Sequence, residues 1–129
     1  MSIDVKELLK YSIDSKASDL HLSAGSTPMV RIDGLMKPLK LSALTNKDMV
    51  SIKNQILNKN QQNVLDEKLE IDFSYELKDF GRFRINFFNQ INGLAGSFRI
   101  IPSVILTSDE LSIPPIINQL AFLDKGLVL

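Results

Sequence analysis

Three of the chain's four arginines, Arg82, Arg84 and Arg99, fall within one short stretch that alternates polar and apolar residues around Asn92-Gly93. Eleven of the 15 lysines and arginines are lysine, so arginine is concentrated there against the chain's general habit. A planar guanidinium offers a carboxylate or phosphate two parallel N–H donors, whereas a lysine ammonium is a strongly hydrated point charge. The chemistry this implies is anion binding, at ~1.5–3 kcal/mol for a charge-assisted hydrogen bond. Little else in the sequence suggests catalysis. Cysteine is absent, which excludes a thiol nucleophile, a zinc–thiolate centre and a disulfide scaffold. His21 is the single histidine, and with no Cys or Ser/Asp partner pattern it is expected to pack or to meet a neighbouring subunit. No catalytic residue and no metal ligand is assigned. Ser23-Ala-Gly-Ser26 is too short for a phosphate loop, and Gly25, Gly34 and Gly93 read as turn residues.

The elements that must position the arginines follow from period-2 patterning. Asn92-Gly93 is the preferred pair for a type I′ turn, which sets Ile91 against Leu94. Counting back, Phe87 is expected opposite Phe98, Ile85 opposite Ile100, Asn86 opposite Arg99 and Arg84 opposite Ile101. Phe83, Ile85, Phe87, Phe98 and Ile100 then share an apolar face, and Arg82, Arg84, Asn86 and Arg99 share the other with Phe88, Gln90, Ala95 and Ser97. The stretch Leu69 to Glu76 alternates too. Pairing it apolar to apolar puts Glu76 opposite Arg82, Ser74 opposite Arg84 and Asp72 opposite Asn86. Arg82 is thereby assigned to Glu76. Arg84 and Arg99 have no directly opposed acid in this register, although Asp72 or Glu76 could reach them diagonally. Structural ion pairing and ligand binding both stay open at this point.

Around the hairpin the pattern is α+β. Asp4 and Glu7 have capping-box spacing ahead of an apolar stripe at Val5, Leu8, Leu9 and Ile13. Asp19 to Ser23 reads as a strand with Leu20 and Leu22 on one face, and Asp33-Gly34 joins strands Met29 to Ile32 and Leu35 to Leu41. Thr45-x-x-Asp48 opens a helix carrying Met49, Ile52 and Ile56, and a further turn or two is expected to carry Val64, Leu65 and Leu69 inward. Strands 70–76, 82–90 and 94–101 follow, giving a mostly antiparallel sheet with its helices on one face. After Pro102, Thr107-x-x-Glu110 repeats the capping spacing, and the chain ends on the apolar strand-like run Gly126-Leu-Val-Leu129. Such a run normally leads onward, so the expected reading is the front part of a longer protein, with a short strand tucked onto the sheet as the alternative.

At 129 residues the chain has the size of one domain. Its 15 basic and 15 acidic residues balance, so any anion site must be local. No apolar run approaches the ~20 residues needed to span a bilayer, and Met1 to Lys10 lacks the form of a secretory signal, which makes the cytoplasm the expected location.

Several motifs taken together are similar to a known family. Ala17-Ser-Asp-Leu-His-Leu-Ser-Ala-Gly25, Pro28-Met-Val-Arg-Ile-Asp-Gly34, Arg82-Phe-Arg-Ile-Asn86, Phe88-Asn-Gln90, Phe98-Arg-Ile-Ile-Pro102 and Gly126-Leu-Val-Leu129 resemble, in order, the amino-terminal region of the type IV pilus retraction ATPases, the PilT-type motors of twitching motility. The resemblance implies a PAS-like domain over 1–103, and over 104–129 a linker and the start of a RecA-like ATPase domain truncated before its Walker A loop. In that family six subunits form a ring, ATP and Mg are used, and the motor works at the cytoplasmic face of the bacterial inner membrane with a pilus platform. Two arginines of this region reach the terminal phosphate of the nucleotide, and by motif and spacing they correspond to Arg84 and Arg99. The chain contains no G-x-x-x-x-G-K-[S/T] sequence and none of the Walker B carboxylates, so it is not expected to hydrolyse ATP alone.

Two other classes compete. A stand-alone PAS-like binding or signalling module would need no ATPase domain. A single-strand nucleic-acid binder would use the sheet arginines and Phe88, but the balanced charge and the inward direction expected for Phe83, Phe87 and Phe98 count against it. The expected partners are the ATPase domain and neighbouring subunits, with no nucleic acid and no membrane insertion. Phe88 is expected to be buried beneath the linker.

Overall fold

The computed structural model describes residues 3–129. Its elements run α1 (Val5–Asp14), β1 (Asp19–Ser23), β2 (Met29–Ile32), β3 (Leu35–Pro38), α2 (Asn46–Ile56), α3 (Lys59–Lys68), β4 (Glu70–Leu77), β5 (Gly81–Gln90), β6 (Gly93–Ile101) and α4 (Pro115–Leu120). The strands form one sheet in the order β3-β2-β1-β6-β5-β4, with every neighbouring pair antiparallel. Because side chains alternate across each strand, one face is mainly apolar, with Lys37 on the outer strand β3 and Asn89 near the β5–β6 turn as polar exceptions. Leu20, Leu22, Phe83, Ile85, Phe87 and Phe98 on that face meet Val5, Leu9, Met49, Ile52 and Leu65 from α1, α2 and α3 to form the core. This is the expected α+β arrangement, with helices on one face and the arginine face left open.

Local chemistry explains the helix starts. The N–H of Lys6 donates to Asp4 Oδ1 at 2.9 Å, capping α1, but Glu7 does not close the expected box and instead pairs with Lys10 at 3.1 Å. The Thr45–Asp48 box at α2 is complete, and Asn58 with Gln61 makes a second one at α3. Only Leu65 of the three residues expected inward from α3 is buried; Val64 and Leu69 are exposed. Leu69 ends the helix in the left-handed conformation, φ 62°, and that reversal turns its side chain away from the core.

The two Asx-Gly turns differ. Asp33 and Gly34 both have positive φ, 50° and 78°, as a type I′ turn requires. In the β5–β6 hairpin Gln90 pairs with Gly93, so Ile91 and Asn92 make the turn and only Gly93 has positive φ, 119°. The ladder is therefore shifted by two residues from the expected register, with Phe87 opposite Gly96, Ile85 opposite Phe98 and Arg84 opposite Arg99. Tertiary contacts account for the shift. Asn46 at the start of α2 accepts the Leu94 N–H at 3.0 Å, and the Leu94 carbonyl accepts the Ala24 N–H at 3.1 Å, which fixes this end of β6. Gly96 has no Cβ, so the Phe87 ring lies across it and meets Phe98 edge to face at 5.5 Å.

Beyond β6 the Thr107–Glu110 box forms reciprocal hydrogen bonds but closes only a turn, not a helix. Residues 126–129, expected as a strand, join no ladder, and no residue of 102–129 is buried.

Candidate anion-binding face

Strand β1 sits between β2 and β6, and this single fact of topology builds the face. Asp19 lies opposite Arg31 on β2 and opposite Arg99 on β6; Arg99 lies opposite Arg84 on β5. Asp72, on β4, stands diagonally from Arg84, whose direct partner is Ser74 as expected. A continuous row, Arg31, Asp19, Arg99, Arg84, Asp72, thus crosses five strands on the open side of the sheet. It holds three guanidiniums against two carboxylates.

The two acids are held differently. Arg84 donates from Nε and Nη2 to the two oxygens of Asp72, both at 3.0 Å, in a two-point clasp exposed to solvent. Asp19 is buried, at 7% exposure. It accepts from Ser18 Oγ at 2.8 Å and from Arg99 Nε at 3.2 Å, and Arg31 Nε stands 3.7 Å away. Burial pushes the Asp19 carboxyl up, but the hydrogen bonds from Ser18 and Arg99 and the charges of Arg99 and His21 together outweigh it and hold the group below its ordinary value. The hydrogen bonds from Arg84 do the same for Asp72, and Arg84 is correspondingly raised.

Between the two central arginines the face dips into an open hollow of about 330 Å³ lined by Asp72, Arg84, Asn86, Ser97 and Arg99. The structure therefore brings together the two residues singled out from sequence. Arg84 has no directly opposed acid, as expected, and meets Asp72 by the diagonal contact left open; Arg99 departs from the expectation, because Asp19 on β1 stands directly opposite it. The structure also corrects the assignment of Arg82, which stands opposite Glu76 in the ladder but makes no ion pair with it among the described residues. Opposition in a ladder sets proximity only, and an exposed, hydrated guanidinium gains little by fixing its long side chain on a surface carboxylate. Asp19 and Arg31 were missed as members of the site. The alternation of Asp19, His21 and Ser23 against Leu20 and Leu22 shows a polar face, but Asp19 and Arg99 are 80 residues apart and only the strand order joins them.

His21 Nε2 is buried without a hydrogen-bond partner in the described structure. Among the described residues no cluster of three or more His, Asp or Glu side chains could hold a metal ion. Phe88, expected beneath the linker, is half-buried, lying between Glu70 and Ala95 in the ladder. Phe83, Phe87 and Phe98 are fully buried and offer bases no stacking platform. What the arrangement presents to solvent is two neighbouring guanidiniums, one clasping Asp72 at two points and the other held to Asp19 through Nε alone.

No protein-family model matches the chain. The type IV pilus retraction ATPase PilT of Pseudomonas aeruginosa is 42% identical over 127 residues, which is 98% of this chain and 37% of that protein. The crystal structure of the pilus retraction motor PilT with bound ADP superposes with a TM-score of 0.77 at 34% identity, covering 92% of this chain and 35% of the solved one. The chain is a homologue of the PilT-type pilus retraction ATPases. A twitching motility protein of Neisseria gonorrhoeae is 33% identical over the whole chain and 34% of its own length. The chain thus spans about a third of these PilT relatives. Its sheet and helices match the fold of the PilT amino-terminal domain. No described helix is long and apolar enough to cross a membrane.

Proposed function

We propose that the chain is the nucleotide-responsive and subunit-assembly domain of a hexameric type IV pilus retraction ATPase, acting in twitching motility at the cytoplasmic face of the inner membrane. In this reading residues 1–103 are the PAS-like unit, and 104–129 lead into a RecA-like domain that binds ATP and Mg. The observation that carries it is the juxtaposition of Arg84 and Arg99, directly opposed on adjoining strands, with side chains 66% and 72% exposed around one hollow.

The residues fit one end of such a nucleotide. Two forks suit the oxygens of a terminal phosphate, while the chain supplies no phosphate loop and no magnesium carboxylates. ATP held elsewhere would supply the γ-phosphate charge. Arg84 and Arg99 bind that charge and draw the domain toward the ATPase core, and loss of the phosphate on hydrolysis removes the attraction. Neighbouring subunits and an inner-membrane pilus platform are the partners this reading requires.

The test is a chimera in which these residues replace the homologous third of P. aeruginosa PilT. Arg84→Ala and Arg99→Ala should each weaken ATP-Mg affinity or ATPase rate by about tenfold, the loss of one charge-assisted contact. Variants with unchanged affinity and turnover would refute the reading. Calorimetric binding of ATP-Mg by the 129-residue chain itself would instead favour a stand-alone PAS-like sensor.

A further inference from the structure

A phosphate reaching the hollow does not find two free arginines. The Nε and Nη2 edge of Arg84 already holds both oxygens of Asp72, the same two-point geometry a phosphate would use. Arg99 is engaged through Nε alone, so its terminal amino groups stay uncommitted.

The anchors differ in how they can respond. Asp19 is buried and keeps Ser18 and Arg31 beside it whatever Arg99 does. Asp72 has Arg84 as its only ion-pair partner among the described residues, and its side chain is 42% exposed. Once released, Asp72 is solvated in place, whereas Asp19 is not. Displacement therefore has one low-cost route.

We infer that Asp72 is a resident competitor for the anion site: phosphate gains Arg84 by expelling the Asp72 carboxylate, while Asp19 keeps Arg99 fixed as the stationary second contact. This rests on the reading that Arg84 and Arg99 meet a phosphate, and adds to it the residue that sets how much phosphate is needed. Asp72 is a positioning residue, acting through Arg84. No covalent step is involved. The carboxylate moves into water and the guanidinium edge changes partner, so affinity is set by the difference between two anions and not by the arginines alone.

The chimera carrying these residues in place of the homologous third of P. aeruginosa PilT is titrated with ATP-Mg by calorimetry at fixed low salt, as the parent chimera and as Asp72→Asn, Arg84→Ala, Arg99→Ala and the Asp72→Asn/Arg84→Ala double variant. Glu70→Gln, two residues along the same strand face, is the control for removing one negative charge without freeing Arg84. Asp72→Asn should bind about five- to tenfold tighter, Glu70→Gln less than about twofold tighter, and the double variant should lose the gain. Equal tightening by Asp72→Asn and Glu70→Gln would overturn the exchange, since charge alone would then explain it. If Asp72→Asn leaves affinity unchanged while Arg84→Ala and Arg99→Ala weaken it, the exchange fails and the phosphate reading survives. If neither arginine matters in any background, both fail together.

Discussion

Replacing Asp19 by Asn keeps the shape of the side chain and removes the charge between Arg31 and Arg99. One carboxylate oxygen becomes an amide nitrogen that cannot accept, and two guanidiniums on strands either side of β1 lose the anion between them. A hydrogen bond to a charged group contributes ~1.5–3 kcal/mol. The full sum does not apply, because Arg99 is 72% and Arg31 40% exposed and water screens both. The expected loss is about 1–2 kcal/mol, the larger part from a buried group whose hydrogen bonds are left imperfect. For a domain of this size that lowers Tm by about 4–8 °C.

The pH dependence distinguishes this account from a packing defect. The folded Asp19 carboxyl lies below its ordinary value, so its contribution is fully present above the unfolded value of about 3.9 and is lost as pH falls through the folded value. Urea unfolding followed by far-UV circular dichroism, from pH 7 down to about pH 3, should show the wild type more stable than Asp19→Asn at neutral pH. The gap should narrow as the solution becomes acid enough to protonate the folded carboxyl. A gap that stays constant across the range would mean the substitution acts through shape. No gap at pH 7 would mean that Asp19 gains nothing from its arginines.

Gly96→Ala should be destabilising by about 1–3 kcal/mol in denaturant unfolding, because overpacking displaces rings; the added Cβ would stand 2.9 Å from both Phe87 and Phe98. Asn46→Ala strands the part-buried Leu94 N–H and should cost about 1–3 kcal/mol by the same assay. The turn geometry gives a paired test: Asn92→Ala should change stability by less than about 0.5 kcal/mol, since Asn92 is not at positive φ, whereas Gly93→Ala should cost about 1 kcal/mol or more. Equal losses at Asn92 and Gly93 would restore the type I′ turn.

The open face was legible from alternation, because a slip of two residues returns every side chain to the same side of a strand. That is why Arg84 and Arg99 were correctly placed together on the polar face although every β5–β6 partner had been assigned two residues away. The β4–β5 register was legible for a stronger reason: apolar residues had to meet apolar ones, and Ser74 opposite Arg84 followed. The strand glycine Gly96 was the unused signal for the true hairpin register, since a glycine inside a strand marks a place where another side chain comes close.

The sequence by itself determined which residues share each face of β4, β5 and β6, where the capped helices α1 and α2 begin, and that the arginines share a surface. These depend on periods of 2 and 3.6 residues and on hydrogen bonds between residues at most four apart, all of which are local. Only the tertiary structure decided what the arginines hold. Asp19 reaches Arg99 because β1 was inserted beside β6, and Asp72 reaches Arg84 across a ladder as a diagonal neighbour. An ion pair forms between side chains that the packing of the core brings within a few ångströms, and strand order, fixed by burying Leu20 and Leu22 against Phe98 and the helices, is a property of the whole sheet.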